Sequence, residues 1–245
     1  MLPTPVNYAI YPSVVPADTV VEMIVVPCEK SFLLFSDVTY TLTEENSVRI
    51  DYYGVPQGKT IVNLTNHSYF NLNDHDSGSI LNHTLWLDAD TFTPADETSI
   101  PTGEIRSVEG TPMDFRNPKT VGLEIDSDYE ATRFGNGYDH NWCLDNYDGN
   151  VRLVAEVTNG SGSRTMQVYT DLPGVQFYAA NSTADPNGKG GVKYAPRCAL
   201  CLETQFYPNA VNEPSFPSPV FGPGKDCVTD FEQTLTGTLS EYIAE

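Results

Sequence analysis

Short runs of alternating apolar and polar residues, separated by turn-forming residues, follow one another along most of this chain. Residues 38–42 and 47–53 alternate in this way around a polar turn and predict a β-hairpin. Residues 151–157 and 165–170 flank a glycine-containing turn and predict a second hairpin, because glycine readily adopts the positive φ of tight turns. Since no amphipathic helix longer than a few turns accompanies these strands, the sequence predicts an all-β fold, an antiparallel sandwich or barrel.

Further apolar runs predict single strands. They lie at residues 19–26, at 32–35, from residue 60 onward, at 82–88, 176–178 and 199–205, and within 228–242. The segment 89–137 is rich in Pro, Gly, Thr and Asp and is predicted to be a long loop, which in a single domain is typical of functional or unusually ordered segments.

The charge of the chain limits its partners. Thirteen Lys and Arg residues stand against 33 Asp and Glu, a net charge of −20 that would repel nucleic acids and anionic membrane surfaces. No apolar run approaches the roughly 20 residues of a membrane-spanning helix. The N-terminus lacks the charged and apolar regions of a secretory signal, so a cytoplasmic location is predicted.

The cysteines predict reduced thiols. Five in 245 residues is an odd and sparse number, which fits a cytosolic protein better than a disulfide framework. Cys198 and Cys201 form a CxxC pair, but no second pair accompanies it and it lies in an apolar run. The pair is therefore predicted to be structural, with no metal site.

Polar side chains cluster in four short stretches near predicted strand ends. Sequence signatures of dinucleotide-binding, P-loop, zinc-protease and hydrolase-elbow sites are absent from the chain. The stretches instead supply one imidazole, two carboxylates and several amides beside Tyr and Trp, which suits proton transfer on a neutral polyhydroxylated ligand. They lie at residues 66–71, 137–142, 173–178 and 202–205. A histidine such as His67, considered alone, is more often structural than functional. The polar groups in the other three stretches favour a functional role.

Six motifs in one order carry a resemblance to a known family. They lie at residues 63–72, 100–105, 110–116, 137–141, 173–178 and 202–205, and are followed by matches at 208–212 and 223–224. From about residue 37 onward the chain resembles the aldose 1-epimerases (galactose mutarotases). The resemblance implies an antiparallel galactose mutarotase-like supersandwich, either complete or lacking N-terminal strands. It also implies interconversion of the α and β anomers of free hexoses such as galactose and glucose without a cofactor.

The resemblance also implies roles for individual residues. His67 matches the family's catalytic acid and Glu203 its catalytic base, while Asp139 and Gln176 match positions that hold the hydroxyls of the sugar. Two neighbours of His67, Asn66 and Tyr69, are expected to contact substrate as well.

His140 does not match a catalytic position of the family. Adjacent residues of a strand point to opposite faces, so His140 is expected to point away from Asp139 and to be structural.

One part of the chain departs from the family pattern. Members of the family carry an N-terminal arginine and histidine that face the sugar, whereas the first Arg here is Arg49 and no His precedes His67. Residues 1–36 are therefore predicted to be a divergent N-terminal segment, and residues 37–245 to be the epimerase-like domain.

Three functions remain open at this point. They are an active epimerase, a non-catalytic carbohydrate-binding relative with part of the site, and, less favoured because Lys and Arg are few near the motifs, a sugar-phosphate epimerase. The expected partner is an aldohexose, and the expected state a monomer or weak homodimer.

Overall fold

Two antiparallel sheets make up most of the structure, a computed structural model that describes residues 20–24, 33–44, 46–56, 58–224 and 227–237, with side chains from residue 38 to 224. The strands are β1 Val20–Ile24, β2 Leu33–Leu42, β3 Ser47–Pro56, β4 Thr60–Ile61, β5 Thr84–Leu87, β6 Thr91–Thr93, β7 Arg106–Ser107, β8 Lys119–Thr120, β9 Asp139–Cys143, β10 Arg152–Thr158, β11 Arg164–Thr170, β12 Gly174–Tyr178, β13 Cys201–Gln205, β14 Val220–Phe221 and β15 Cys227–Gly237. One short helix, α1 Glu130–Phe134, and two 3₁₀ turns, Val121–Leu123 and Lys189–Gly191, complete the described elements.

The larger sheet has eight strands in the order β1-β2-β3-β15-β11-β10-β5-β8, and the smaller sheet has five in the order β13-β12-β9-β6-β7. The short strands β4 and β14 pair separately. Every described strand pair is antiparallel, as expected for hairpin-rich sequences. The all-β prediction is confirmed.

Both predicted hairpins are present. Strands β2 and β3 pair from Leu42 opposite Val48 outward, and β10 pairs with β11 around the glycine-containing turn. In both hairpins the local alternation and the turn residues act together, which is why the sequence alone identified them.

Several elements differ from the sequence prediction. The strand expected from residue 60 contains only two residues, and the predicted loop 89–137 contains three short strands, a 3₁₀ turn and helix α1. Strand β6 has three residues and pairs with β9, almost fifty residues later, so distant pairing rather than a local pattern stabilises it. Four of the five residues of β9 are buried, which removes the apolar and polar alternation by which strands are recognised.

The N-terminal part of the described chain joins the larger sheet. Strand β1 pairs with β2, and β2 runs through the proposed division at residue 37. The predicted run 19–26 is thus a strand over Val20–Ile24, while residues 1–19 and 25–32 lie outside the described residues. The division of the chain into 1–36 and 37–245 stays a prediction.

The large apolar cluster among the described residues joins the two sheets. It contains side chains of the larger sheet, such as Ile50, Leu87 and Val168, together with Trp142 and Phe177 of the smaller sheet. The two sheets therefore pack face to face, and the second face of the smaller sheet is left to carry polar side chains.

Candidate active site

The three strands β9, β12 and β13 place polar side chains on the face of the smaller sheet that points away from the core. Gln176 of β12 lies directly opposite Glu203 of β13 on one side and Asn141 of β9 on the other. Asp139 is two residues before Asn141 and shares its face, because side chains of a strand alternate. Three of the predicted site residues are thus brought together by strand register.

The loop that carries His67 runs alongside β13 and is attached at both ends. Near its start, the side-chain amide of Asn63 donates to the Phe206 carbonyl (3.0 Å) and its carbonyl oxygen accepts from the Phe206 amide (2.9 Å). Near its end, the backbone of Phe70 exchanges hydrogen bonds of 2.8 and 2.9 Å with Leu200. The two attachments are to the residues just before and just after β13, and they hold His67 beside Glu203.

His67 and Glu203 form a close ionisable pair in the site. His67 Nε2 lies 3.3 Å from Glu203 Oε1. The Glu203 side chain is only 10% exposed, whereas that of His67 is 48% exposed. Burial, followed by the nearby Asp139 charge, raises the pKa of Glu203 to about 7. A carboxyl group of this kind can accept and return a proton at neutral pH.

Asp139 is held by Gln176, whose Nε2 donates to Asp139 Oδ1 at 2.8 Å. Burial raises the pKa of Asp139, and the Gln176 hydrogen bond and the His67 charge oppose this rise. The site therefore contains two neighbouring carboxyl groups in different environments, and among the described residues a side-chain amide donates to Asp139 but not to Glu203.

Aromatic rings form one wall of the site. The His67 ring centroid lies 5.0 Å from that of Tyr69 and 6.1 Å from that of Tyr178, and the two tyrosines are 6.4 Å apart. Tyr69 is half exposed, while the Tyr178 hydroxyl lies 3.2 Å from Thr183 Oγ1. Rings that expose an edge or face beside polar groups suit the apolar C–H faces of a sugar.

Two further residues, Asn66 in the loop of His67 and His140 on β9, have structural contacts. Asn66 Oδ1 accepts a hydrogen bond of 3.1 Å from the Ser68 amide, so this side chain shapes the His67 loop. His140 points into the core, is 2% exposed and packs edge-on against Phe92. Burial lowers the pKa of His140 to about 4, which keeps the imidazole neutral as expected of a structural residue.

Two residues were not predicted to lie in the site, and one of them, Cys201, was considered only as part of the CxxC pair. Tyr178 lies two positions after Gln176 and Cys201 two positions before Glu203, so the two-residue period of their strands would have identified both. Cys201 is a buried free thiol, as are Cys143 and Cys198. Burial and the charges of Glu203 and Asp139 raise the pKa of the Cys201 thiol.

The family model described as aldose 1-epimerase matches residues 32–232. The chain belongs to the aldose 1-epimerase family. Its similarity to curated members is high over most of its length. It is 42% identical over 190 residues to galactose mutarotase of Homo sapiens, covering 77% of this chain and 54% of that protein. It is 35% identical over 213 residues to aldose 1-epimerase of Escherichia coli K12, covering 86% of this chain and 59% of that protein.

Solved structures agree with the predicted supersandwich. A GalM/aldose epimerase homologue from C. elegans superposes with a TM-score of 0.77 at 26% identity, covering 91% of this chain and 67% of that one. A galactose 1-epimerase from Lactobacillus acidophilus shares the fold, with a TM-score of 0.70 at 23% identity, covering 89% and 62%. The galactose mutarotase-like fold is therefore confirmed.

Two further findings concern the extent of the chain and its helices. The chain spans between half and six-tenths of the length of the curated relatives that it matches. Among the residues with described structure, no helix is long and apolar enough to cross a membrane.

Proposed function

We propose that this protein is an aldose 1-epimerase, an isomerase that interconverts the α and β anomers of free hexoses such as galactose and glucose. The observation that carries the proposal is the pairing of an imidazole and a buried carboxyl group, His67 and Glu203, at 3.3 Å. Membership of the family and the names of the galactose mutarotase and aldose 1-epimerase relatives support the same activity.

The reaction needs one base and one acid on the two oxygens bonded to the anomeric carbon. Glu203, as a carboxylate, takes the proton of the C1 hydroxyl while His67, as an imidazolium, donates a proton to the ring oxygen. The C1–O5 bond breaks and the open-chain aldehyde forms. Rotation about C1–C2 presents the other face of the carbonyl, and ring closure returns both protons. The sugar gains and loses no atoms, so the two side chains end in their starting states.

The environment of Glu203 suits the basic role. A base is most effective when its pKa lies near the working pH, because it is then both partly ionised and basic enough to take a proton. Burial of Glu203 and the neighbouring charge of Asp139 produce this condition. Each positioned proton transfer typically contributes about 10²–10⁴-fold to the rate.

The surrounding residues position the sugar. Asp139 and Gln176 are proposed to hold sugar hydroxyls, since both lie on the same sheet face as Glu203 and already bond to each other. Tyr69 is proposed to cover an apolar face of the ring. Asn66 is proposed to assist from the His67 loop, although its described hydrogen bond is to Ser68.

The remaining parts of the prediction accompany this function as proposals. They are an aldohexose as the partner molecule, catalysis without a cofactor, a monomeric or weakly dimeric state, and a cytoplasmic location.

Polarimetry of freshly dissolved α-D-galactose and α-D-glucose tests the proposal directly. The protein is expected to accelerate mutarotation above the buffer rate, and Glu203→Gln is expected to lower kcat by about 10²–10⁴-fold because the base is lost. His67→Ala is expected to have an effect of similar size. Glu109→Gln is the matched control, since it makes the same chemical change at an exposed position and should leave the rate unchanged.

A wild-type rate equal to that of buffer would contradict the proposal. If calorimetry then still detected binding of D-galactose, the protein would be a carbohydrate-binding relative instead. Acceleration that survived Glu203→Gln would retain the activity but reject the assignment of the base.

A further inference from the structure

A third ionisable side chain lies against the proposed catalytic pair. Cys201 Sγ, a ring nitrogen of His67 and a carboxylate oxygen of Glu203 all lie within 4.8 Å of one another. Cys201 and Glu203 are two residues apart on β13 and share one face, and the attached loop brings His67 to them. Thiolate, imidazole and carboxylate are the three side-chain ligand types that bind Zn²⁺.

The spacing of these atoms is close to that of a metal site. Two ligands at about 2.0–2.1 Å from a tetrahedral Zn²⁺ are separated by about 3.3 Å, and the His67 Nε2 to Glu203 Oε1 distance is 3.3 Å. The thiolate of a zinc site lies about 2.3 Å from the ion. Cys201 Sγ in such a site lies about 3.6 Å from the two other ligand atoms. In the structure it lies within 4.8 Å of both.

The surroundings of the three residues also suit an ion. Cys201 and Glu203 are buried, which limits competition from water, while the His67 side chain is half exposed and leaves an approach from solvent. Asp139 adds a negative charge next to the carboxylate. Three protein ligands with one open position form the usual arrangement of accessible zinc sites, in which water or a small ligand completes the tetrahedron.

We propose that His67, Cys201 and Glu203 form a site for a thiophilic divalent cation of the zinc class. The ion would occupy both members of the proposed acid and base pair, so metal and sugar would exclude each other. This consequence rests on the proposed function, whereas binding of the metal does not. The CxxC pair is not the metal site, because Cys198 is not a member of the group of three.

Direct metal titration tests the proposal without reference to activity. Tag-free, metal-stripped protein is titrated with Zn²⁺ by calorimetry and with Co²⁺ by absorption spectroscopy. One equivalent of Zn²⁺ is expected to bind, and Co²⁺ is expected to give a thiolate-to-cobalt charge-transfer band together with the visible bands of a tetrahedral ion. Loss of an outer hydrogen-bond partner of a metal ligand typically weakens binding about 10–100-fold, so Cys201→Ser should weaken it at least about tenfold.

The controls separate this site from other sulfur and histidine ligands. Cys198→Ser removes the other thiol of the CxxC pair and should leave both the affinity and the charge-transfer band unchanged. His67→Ala changes a half-exposed loop residue, should fold normally and should weaken Zn²⁺ binding, so the proposal remains testable if Cys201→Ser does not fold. Absence of stoichiometric Zn²⁺ binding, or binding that His67→Ala leaves unchanged, would overturn the proposal.

Discussion

The two faces of the smaller sheet bury ionisable groups with opposite chemical results. On the core face, burial lowers the pKa of His140 to about 4 and leaves a neutral ring packed on Phe92. On the other face, burial and the charge of Asp139 raise the pKa of Glu203 to about 7. The physical cause is shared, because burial disfavours the charged form of any group.

The difference between the faces lies in the type of group and in its neighbours. A histidine that loses its positive charge becomes a polar core residue without a role in proton transfer at neutral pH. A carboxyl group that is buried becomes a stronger base, and His67, 3.3 Å from Glu203, is its proposed acid partner. We therefore expect substitutions on the core face to change stability and substitutions on the other face to change activity.

The largest expected effect is a loss of stability on removal of a side chain from the core face. Trp142 is fully buried, packs against Phe115 and Phe177, and donates a hydrogen bond of 2.9 Å to the Met113 carbonyl. Trp142→Ala should lower the free energy of unfolding by about 3–5 kcal/mol, measured by urea denaturation. Glu203→Gln on the opposite face should change this free energy far less, because it replaces a buried carboxyl group by a neutral amide of similar size. Equal losses in the two variants would remove the distinction between the faces.

A second, smaller effect concerns the pH dependence of stability. The pKa of His140 is about 4 in the folded protein and about 6.5 when unfolded, so the unfolded state binds more protons between these values. The stabilising contribution is complete above about pH 6.5 and is lost as the pH falls toward 4. Between pH 7 and pH 5 the loss should be about 2 kcal/mol for this residue.

Urea denaturation at the two pH values measures this loss. In His140→Phe the pH dependence should be reduced but not removed, because burial also lowers the pKa of His83 to about 4. An unchanged pH dependence in His140→Phe would show that His140 is not kept neutral by the core.

The smallest effect concerns the pH dependence of activity. Because Glu203 must be ionised to act as the base, kcat/KM for mutarotation should fall about tenfold for each pH unit below about 7. The measurement is made in the presence of a chelator. In Asp139→Asn the neighbouring negative charge is absent, so the acidic limb of the profile should move to lower pH even though substrate binding is weakened. A limb at the same pH in both proteins would reject Asp139 as a cause of the raised pKa.

Local sequence patterns were sufficient to predict the long hairpins but not the short strands. Strands β2 and β3 alternate along their length and meet at a polar turn, so adjacent residues contain the whole signal. Strand β9 is buried on both faces and β6 has only three residues, so their sequences carry no alternation to detect. Pairing with distant strands creates these elements.

The residues of the site likewise include some that motifs predicted and others that they did not. His67, Asp139, Gln176 and Glu203 were predicted from motifs, and the structure brings these four side chains together. Tyr178 was not singled out and Cys201 was predicted to be structural, although the two-residue period of their strands places them on the faces of Gln176 and Glu203. Their positions follow from strand register, which places Tyr178 opposite Asp139 of β9 on one side and opposite Cys201 of β13 on the other.

By itself, the sequence determined an all-β fold of one family and the set of groups available for proton transfer. Only the tertiary structure decided how these groups meet, since the loop of His67 reaches Glu203 through contacts with Phe206 and Leu200. It also decided the pKa of Glu203, because the burial of this side chain depends on every segment that packs around it. Proximity and desolvation are properties of the assembled chain, and no local stretch of sequence encodes them alone.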